Sequence, residues 1–325
     1  MPENQNVIKT YRYIRLALIF LIVLLGVSVA KEILETGRRF GDTCYQTSIS
    51  AYYYTPAQAV FVSVLVAIGV AMISLKGNTN VEDVLLNLGG MLAPVVAFVP
   101  TPDRPLDSIC PPSNAIGGDA VQAPQNSLGF AAENVANNMG ALLWIGVAAL
   151  LVTLLLAWSE WRSATRRAAD QNRSADERAA AAAAAAASTF TKREFWLGWG
   201  VAAAVVAFAM YAFFTARLPF LTSAHYSAAI PMFVIIWLVV VLNSRRYYRQ
   251  LAERPGTSRG GRLFNRYTNI AIGMAVAAAV VGLVIGGLHM IFWLECSLIV
   301  GFCAFWVLQT QELWEQGIRP VPTSL

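Results

Sequence analysis

Glu295 lies within a long apolar stretch, HMIFWLECSLIVGFCAFW, which runs from His289 to Trp306. A helix of this length can cross the hydrocarbon core of a bilayer, which is about 30 Å thick. A carboxyl group inside such a helix is costly unless it has a partner, so an acidic residue there is a candidate for proton transfer or ligand binding. The alternative is that Glu295 hydrogen-bonds a neighbouring helix, and we favour this structural interpretation.

The two histidines of the chain are the other candidate acids, bases or metal ligands. His225 precedes the sixth predicted span and His289 lies in the turn before the eighth, so both are expected near the outer surface, as is Glu295. Six residues along one straight helix correspond to about 9 Å of rise and about 120° of rotation. His289 and Glu295 therefore cannot bind one metal ion unless the turn bends back, and we expect no metal and no cofactor.

Ser50 and Tyr54 belong to the segment SISAYYYTP, which leads into the second predicted span. Ser50 would be a nucleophile only if a base reached it, and its sequence neighbours supply none. Tyr54 is one of three consecutive tyrosines, which are favoured at the membrane interface because the ring is apolar and the hydroxyl stays wet. Tyr54 is either such an anchor or part of a pocket in which it and Ser50 face Glu295 or a histidine.

Long apolar blocks form the elements that must position these residues. Hydrophobic residues make up 57% of the chain and charged residues only 13%, whereas soluble domains are about 25% charged. The sequence therefore predicts an all-α, polytopic bundle of transmembrane helices that forms one integral membrane domain over residues 1–325. Eight spans are expected, at residues 13–30, 56–75, 83–100, 139–158, 195–214, 227–243, 268–287 and 289–308.

The distribution of lysine and arginine predicts the orientation of these spans, because basic residues favour the cytoplasmic side. With the N-terminus inside and eight alternating helices, most of the 24 basic residues fall into inner segments. Both termini and the basic, alanine-rich loop 159–194 are then cytoplasmic, and the Pro/Gly-rich loop 101–138 is outside. These topology signals account for the net charge of +5. We therefore expect a cytoplasmic-membrane protein that contacts lipid and does not bind nucleic acid.

Four cysteines are present. Cys44 falls in the first outer loop and Cys110 in the second, which is an oxidising environment, so a disulfide between them is predicted. Cys296 and Cys303 lie two helical turns apart in the eighth span and are interpreted as small packing residues. The chain contains no CxxC pair, which argues against a membrane thiol oxidoreductase.

The stretch SISAYYYTPAQAVFVSVLVAIGVAMISLKGNTNVEDVLLNLGGMLAPVVAFVP and the C-terminal FWLECSLIVGFCAFWVLQTQELW carry a resemblance. The chain resembles a family of uncharacterised, often actinobacterial, multi-pass membrane proteins that is distantly similar to the alkaline-ceramidase-like intramembrane hydrolases. That similarity would imply a zinc ion held by three histidines, with a serine and an aspartate nearby. This chain departs from the pattern, since it has two histidines and carries Tyr54 and Ala59 in the neighbourhood where the enzymes have a histidine and an aspartate.

Three functions are compatible with these observations. The favoured one is a non-enzymatic integral membrane protein, which could act with a membrane-protein partner. The second is a divergent outer-leaflet lipid hydrolase in which Glu295 and His289 act as acid and base and Ser50 assists. The third is a small-solute or proton carrier that uses Glu295 as its titrating group. The geometry around Glu295 and the two histidines discriminates between them.

Overall fold

The computed structural model describes residues 2–40, 44–101, 127–169, 192–253, 256, 258–287 and 289–315. These residues are almost entirely helical, and no strand occurs among them. The prediction of an all-α fold is therefore confirmed. The helices are α1 (Pro2–Phe40), α2 (Gln58–Ser74), α3 (Asn80–Phe98), α4 (Ser127–Ala169), α5 (Lys192–Thr215), α6 (Arg217–Ala252), α7 (Arg259–Leu263), α8 (Arg266–Val280) and α9 (Met290–Glu312).

Seven of these helices contain segments long and apolar enough to cross a membrane. The second predicted crossing, residues 56–75, corresponds to α2, an apolar helix of 17 residues that is shorter than each of the seven segments. A polytopic membrane protein is thus supported by the length and composition of its helices. The seven segments are Asn6–Arg38, Asn80–Phe98, Val135–Ser163, Phe195–Thr215, Pro219–Ala252, Arg266–Ile285 and Met290–Glu312.

The chain divides into two compact units. Unit 1 comprises Met1–Ala136 and Leu221–Leu325, and unit 2 comprises Asn137–Phe220. Unit 1 contains α1, α2, α3, most of α6, α8 and α9, and all of the candidate site residues belong to it.

The helices of unit 1 run alternately between two ends, as contacts at each end show. At the first end, Phe292 at the start of α9 donates its backbone N–H to Thr47 O, 2.9 Å away, in the segment that follows α1. At the second end, Arg12 in α1 donates its side-chain N–H to the carbonyl of Trp314, just after α9. The beginning of α1 and the end of α9 therefore lie at the same end of unit 1.

A close contact between two glycines joins α2 and α3. A Cβ atom built on Gly69 would lie 2.6 Å from Gly90 O, and one built on Gly90 would lie 2.6 Å from Gly69 O. Such distances are far below a normal contact, so only glycine allows the two backbones to approach this closely. Small residues play the same role in other membrane helix pairs, where association depends on close packing.

A glycine turn separates α8 from α9. The last turn of α8 continues as a π-helix over Val281–Ile285. The chain then reverses at Gly286 and Gly287, whose φ angles of +47° and +71° favour glycine over any residue with a side chain. The tight turn predicted from the sequence GGLHM is thus present, and it leaves His289 as the residue immediately before α9.

Unit 2 contains most of α4 together with α5. The indole N–H of Trp199 in α5 donates a hydrogen bond to Leu150 O in α4 over 3.0 Å, and Gly146 of α4 lies next to Val206 of α5. The apolar segments of the two helices are each only 11% buried, as expected for helices whose surfaces meet lipid. The alanine run from 179 to 187 and most of the Pro/Gly-rich loop lie outside the described residues.

Candidate functional site

The segment between α1 and α2, residues 44–57, packs against the first turns of α9 and is called the α1–α2 segment here. The first backbone N–H groups of a helix have no partner within the helix. One of them, on Phe292, donates to Thr47 O over 2.9 Å. One turn further along α9, the carboxylate oxygen Oε2 of Glu295 accepts a hydrogen bond from the N–H of Ile49 over 2.6 Å. The α1–α2 segment is therefore attached to α9 at two successive points.

Glu295 holds this segment through backbone groups and not through another side chain. Taken as a whole residue, Glu295 is half-buried. A carboxylate that accepts hydrogen bonds from backbone N–H groups forms charge-assisted bonds, which are stronger than bonds between neutral groups. We predicted that the partner of Glu295 would be a neighbouring membrane helix, whereas the partner is Ile49 in the connection between α1 and α2.

His289 contacts the same segment one turn earlier. Its ring stacks on that of Tyr45 with 4.0 Å between the ring centroids. Its Nδ1 lies 3.4 Å from Gln46 O, a long hydrogen bond in which Nδ1 carries the proton. The indole N–H of Trp293 also reaches toward the Tyr45 hydroxyl, over 3.4 Å. His289 therefore helps to seat the α1–α2 segment.

Ser48 and Ser50 hydrogen-bond to each other and are both buried. Their Oγ atoms are 3.0 Å apart. The Oγ of Ser48 also accepts the backbone N–H of Ala51 over 3.1 Å, at the start of the short 3-10 helix Ser50–Tyr54. The Ser50 hydroxyl is thus hydrogen-bonded to the hydroxyl of Ser48. This arrangement stabilises a turn and does not resemble the serine–base pair of a hydrolase.

A cavity of about 70 Å³ lies beneath the α1–α2 segment, inside unit 1. Its walls are almost entirely apolar and come from α1, α2, α3, α6 and α9. Ile49 and Ser50 form part of the wall on the side of the α1–α2 segment, and Glu295 lines the cavity from α9. Glu295 therefore contacts the backbone of Ile49 and also lines the apolar cavity.

His225 lies at the same end of unit 1 in a second group of polar contacts. It is buried within α6, which begins at Arg217 and not, as predicted, at residue 227. Its Nδ1 is 2.6 Å from Val99 O, the carbonyl that follows α3. Next to it, the hydroxyls of Tyr226 and Thr101 are 2.8 Å apart, and Tyr54 donates to Thr101 O over 3.2 Å. This group joins the end of α3 to α6 and the 3-10 helix.

The three residues considered as a joint site each have a separate backbone partner. His225 pairs with Val99, His289 with Gln46, and Glu295 with Ile49. Within the part of the chain that the structure describes, no group of three or more His, Cys, Asp or Glu side chains could hold a metal ion. The two neighbours of Tyr54 in the tyrosine run, Tyr52 and Tyr53, are buried and not exposed as surface anchors would be.

Three of the four cysteines lie among the described residues. Cys44 is buried at the start of the α1–α2 segment. Its predicted disulfide partner, Cys110, lies outside the described residues, so the pairing stays a prediction. Cys296 and Cys303 are free thiols that are partly buried on α9.

A buried polar cluster at the opposite end of unit 1 was not predicted from the sequence. The carboxylate of Glu82, at the start of α3, accepts hydrogen bonds from Asn78 Nδ2 over 3.2 Å and from Asn243 Nδ2 over 2.9 Å. It also accepts the backbone N–H of Asn78 over 3.0 Å. Glu82, Asn78 and Asn243 are all buried. The cluster joins the α2–α3 turn to the C-terminal half of α6.

The position of Glu82 in this cluster is related to a helix-capping pattern that is visible in the sequence. Thr79 and Glu82 have the spacing of a capping box, in which a threonine caps a helix and a glutamate three residues later bonds back toward its start. Thr79 does accept the N–H of Glu82, over 3.1 Å, but the Glu82 carboxylate bonds to Asn78. The contribution of Asn243 had no such signal, because it comes from a helix far away in the sequence.

Comparison with protein-family models, with curated proteins and with solved structures finds no match for this chain. The resemblance described from the sequence therefore stays a prediction.

Proposed function

We propose that this chain is a non-enzymatic, multi-pass protein of the cytoplasmic membrane in which Glu295 is a structural anchor. The observation that carries this proposal is the hydrogen bond from Ile49 N–H to Glu295 Oε2, at 2.6 Å. It accounts for an acidic residue inside an apolar helix without any reaction. The three candidate groups, His225, His289 and Glu295, each bind a different backbone group, and this also supports a structural role.

We further propose eight membrane crossings with both termini on the cytoplasmic side. With 17 residues, α2 is at the lower limit of about 17 to 25 residues for a spanning helix. Its close packing against α3 gives it a partner along its length, which suits a short crossing. The contact between Arg12 and Trp314 supports the placement of both termini on one side. The basic loops then favour the cytoplasm as that side.

Two substitutions of Glu295 test the anchoring role. Glu295→Gln keeps an oxygen that can accept the Ile49 N–H, so we expect it to lower the free energy of unfolding by only about 1 kcal/mol, the difference between a charged and a neutral acceptor. Glu295→Leu leaves that N–H without an acceptor and should cost about 2 to 3 kcal/mol. The measurement is unfolding of the full chain in detergent micelles, with Glu253→Gln as an exposed control.

The same proteins separate this proposal from the two active alternatives. Wild type and Glu295→Gln are compared for lipid hydrolysis, for proton uptake in proteoliposomes and for bound zinc in the purified protein. We expect no hydrolysis or proton uptake that depends on Glu295, and no zinc. A Glu295→Gln protein that is as stable as wild type but has lost a hydrolytic or proton-carrying activity would refute the non-enzymatic assignment.

A further inference from the structure

The chain between the apolar parts of α6 and α8 is rich in arginine. Residues 245–266 contain seven arginines and one acidic residue, Glu253. Basic residues favour the cytoplasmic side of a membrane protein, but that effect needs only their charge and no particular arrangement. Their arrangement in the structure is therefore a separate observation, and it points to a further role.

Two of these arginines form a pair on the last turns of α6. Arg245 and Arg249 are four residues apart and both are exposed, and side chains with this spacing are neighbours on a helix. Neither has an ion-pair partner among the described residues, although the exposed Glu253 follows Arg249 by four residues. Like charges at this spacing repel each other, so an anion that contacts both is attracted and relieves the repulsion.

The short helix α7 adds a face that is both basic and apolar. Arg259 and Leu263 are four residues apart on this helix and both are exposed, and Phe264 next to them is 66% exposed. The Oγ of Ser258 fixes the start of α7 by accepting the N–H of Gly261 over 3.1 Å. Helices that lie in the headgroup region of a bilayer combine basic side chains with exposed aliphatic and aromatic ones in this way.

A buried asparagine holds α7 beside the end of α6. Asn265 caps the start of α8, and its Nδ2 donates to the carbonyl of Arg262 over 3.0 Å. The same Nδ2 donates to the carbonyl of Ser244 over 3.2 Å. Because Ser244 directly precedes Arg245, α7 ends next to the arginines of α6. The two basic faces therefore belong to one surface, called the arginine-rich surface here.

This surface lies where α6 and α8 leave their apolar segments. Arg245 follows Leu242, the last residue of the apolar run in α6, by three residues, which is about 4.5 Å of helix rise. The hydroxyl of Tyr267, at the start of α8, donates to Glu312 near the end of α9. The arginines are thus placed at the depth of lipid headgroups, at the end of unit 1 that also holds both ends of the polypeptide.

We infer that the arginine-rich surface binds anionic phospholipids of the membrane that the chain crosses. A guanidinium group presents several N–H donors in a planar fork that matches a phosphate group. The exposed Leu263 and Phe264 enter the boundary between headgroups and acyl chains. A nucleic acid also carries phosphates, but it offers no apolar layer for these two side chains. The inference goes beyond the proposed function, which requires no preference among lipids.

The experiment measures the unfolding temperature of the full chain in detergent micelles as dioleoyl phosphatidylglycerol is added. Lipids that bind only the folded state raise this temperature. Dioleoyl phosphatidylcholine has the same acyl chains with a zwitterionic headgroup and is the matched probe. We expect a saturable rise, half complete at a mole fraction of phosphatidylglycerol about tenfold lower than that of phosphatidylcholine. The difference should vanish in about 1 M NaCl, where the Debye length is about 3 Å.

Two changes at the arginines separate charge from shape. Joint replacement of Arg245, Arg249 and Arg259 by glutamine should remove the preference for phosphatidylglycerol. Replacement of the same three residues by lysine keeps the charge and should retain most of the preference, reduced by the loss of the planar fork. Leu263→Ser together with Phe264→Ser should weaken the binding of both lipids to a similar degree, because acyl-chain contacts do not depend on the headgroup.

A matched control removes the same number of positive charges elsewhere. Lys31, Arg38 and Arg217 are exposed residues far from this surface, in the second half of α1 and at the start of α6. Their joint replacement by glutamine should leave the preference for phosphatidylglycerol as in wild type. Loss of the preference in this control would assign it to the net charge of the protein and overturn the inference.

Other outcomes also contradict the arginine-rich surface as a lipid site. These are an equal response to the two lipids, an equal rise with inorganic phosphate at the same concentration, and a stronger response to a DNA oligonucleotide at equal phosphate concentration. If the glutamine variant fails to fold, the salt dependence decides, since a preference that persists in 1 M NaCl excludes an electrostatic surface. Anchoring by Glu295 is measured without added lipid, and orientation has no meaning in a micelle, so neither depends on these results.

Discussion

Glu295 and Glu82 are acidic residues at opposite ends of unit 1, and both accept hydrogen bonds from amide groups. Glu295 accepts from the backbone of the α1–α2 segment, and Glu82 from two asparagine side chains and one backbone amide. In each case the carboxylate joins the connection between two helices to a helix. A buried or membrane-embedded amide N–H is costly without a hydrogen-bond acceptor. A carboxylate has several lone pairs, so one carboxylate can accept hydrogen bonds from more than one amide.

Substitution of Glu82 should be more damaging than that of Glu295. Glu82→Leu leaves the side-chain amides of Asn78 and Asn243 without their acceptor in a buried site. Each unsatisfied donor costs about 1 to 3 kcal/mol, so we expect a loss of more than about 3 kcal/mol in the free energy of unfolding. The measurement is unfolding in detergent, with Glu253→Gln as the exposed control. A change below about 1 kcal/mol would show that the cluster contributes little.

At the scale of elements, the contact between α2 and α3 depends on two glycines. Each glycine leaves room for the backbone carbonyl of the other helix, so that the two helices meet backbone to backbone. This contact makes α2, an apolar helix of only 17 residues, one half of a helical hairpin. A hydrogen bond also stabilises the turn between α2 and α3, because Gly77 donates its N–H to Asp83 Oδ1 over 2.9 Å.

Gly90→Ala should therefore destabilise the protein, although alanine favours helices. Its Cβ would lie 2.6 Å from Gly69 O, and overpacking of this kind costs about 1 to 3 kcal/mol. The matched control is Gly273→Ala in α8, where a Cβ would meet nothing within 4 Å. That change should be neutral or stabilise by up to about 1 kcal/mol. Equal effects of the two substitutions on the unfolding temperature would contradict the close α2–α3 contact.

At the scale of the whole molecule, both ends of the polypeptide belong to unit 1. The alternation of its helices and the contact between Arg12 and Trp314 bring the start of α1 and the end of α9 to one end of that unit. An even number of crossings agrees with this arrangement. The orientation in the membrane then depends on the basic loops, whose charges are costly to carry across lipid.

Reporter fusions test the predicted orientation. A reporter that is active only in the cytoplasm should be active when fused to either terminus, and a reporter that is active only outside should be inactive at both. A fusion within the loop 101–138 should give the opposite result and serves as the control. Activity of the two termini on different sides of the membrane would contradict an even number of crossings.

The predicted disulfide between Cys44 and Cys110 is a second prediction at this scale. Tryptic digestion without reduction, followed by mass spectrometry, should give a linked peptide that contains both residues. Reduction should then lower the unfolding temperature, because a cross-link between distant residues stabilises by about 2 to 4 kcal/mol. The Cys110→Ser variant is the control that should show no response to reduction. Alkylation of Cys44 under non-reducing conditions would contradict the pairing.

Residues with strong local preferences could be placed from the sequence. A turn before the eighth span was predicted, and Gly286 and Gly287, with their positive φ angles, form it. The position of Glu295 within a membrane-competent helix was also predicted. The start of α6 was not, because the segment around His225 is less apolar than a typical span, and only the structure shows it as helix with His225 next to Val99 O.

Composition and apolar length alone determined that this chain is an all-α, multi-pass membrane protein, because the cost of transferring a segment into lipid is a sum over its own residues. The partners of the polar groups were decided only by the tertiary structure. Ile49 and Glu295 are 246 positions apart, and Asn243 and Glu82 are 161 apart. A hydrogen bond depends on the position of two atoms to within a few tenths of an ångström, and only the packing of the helices brings these atoms together.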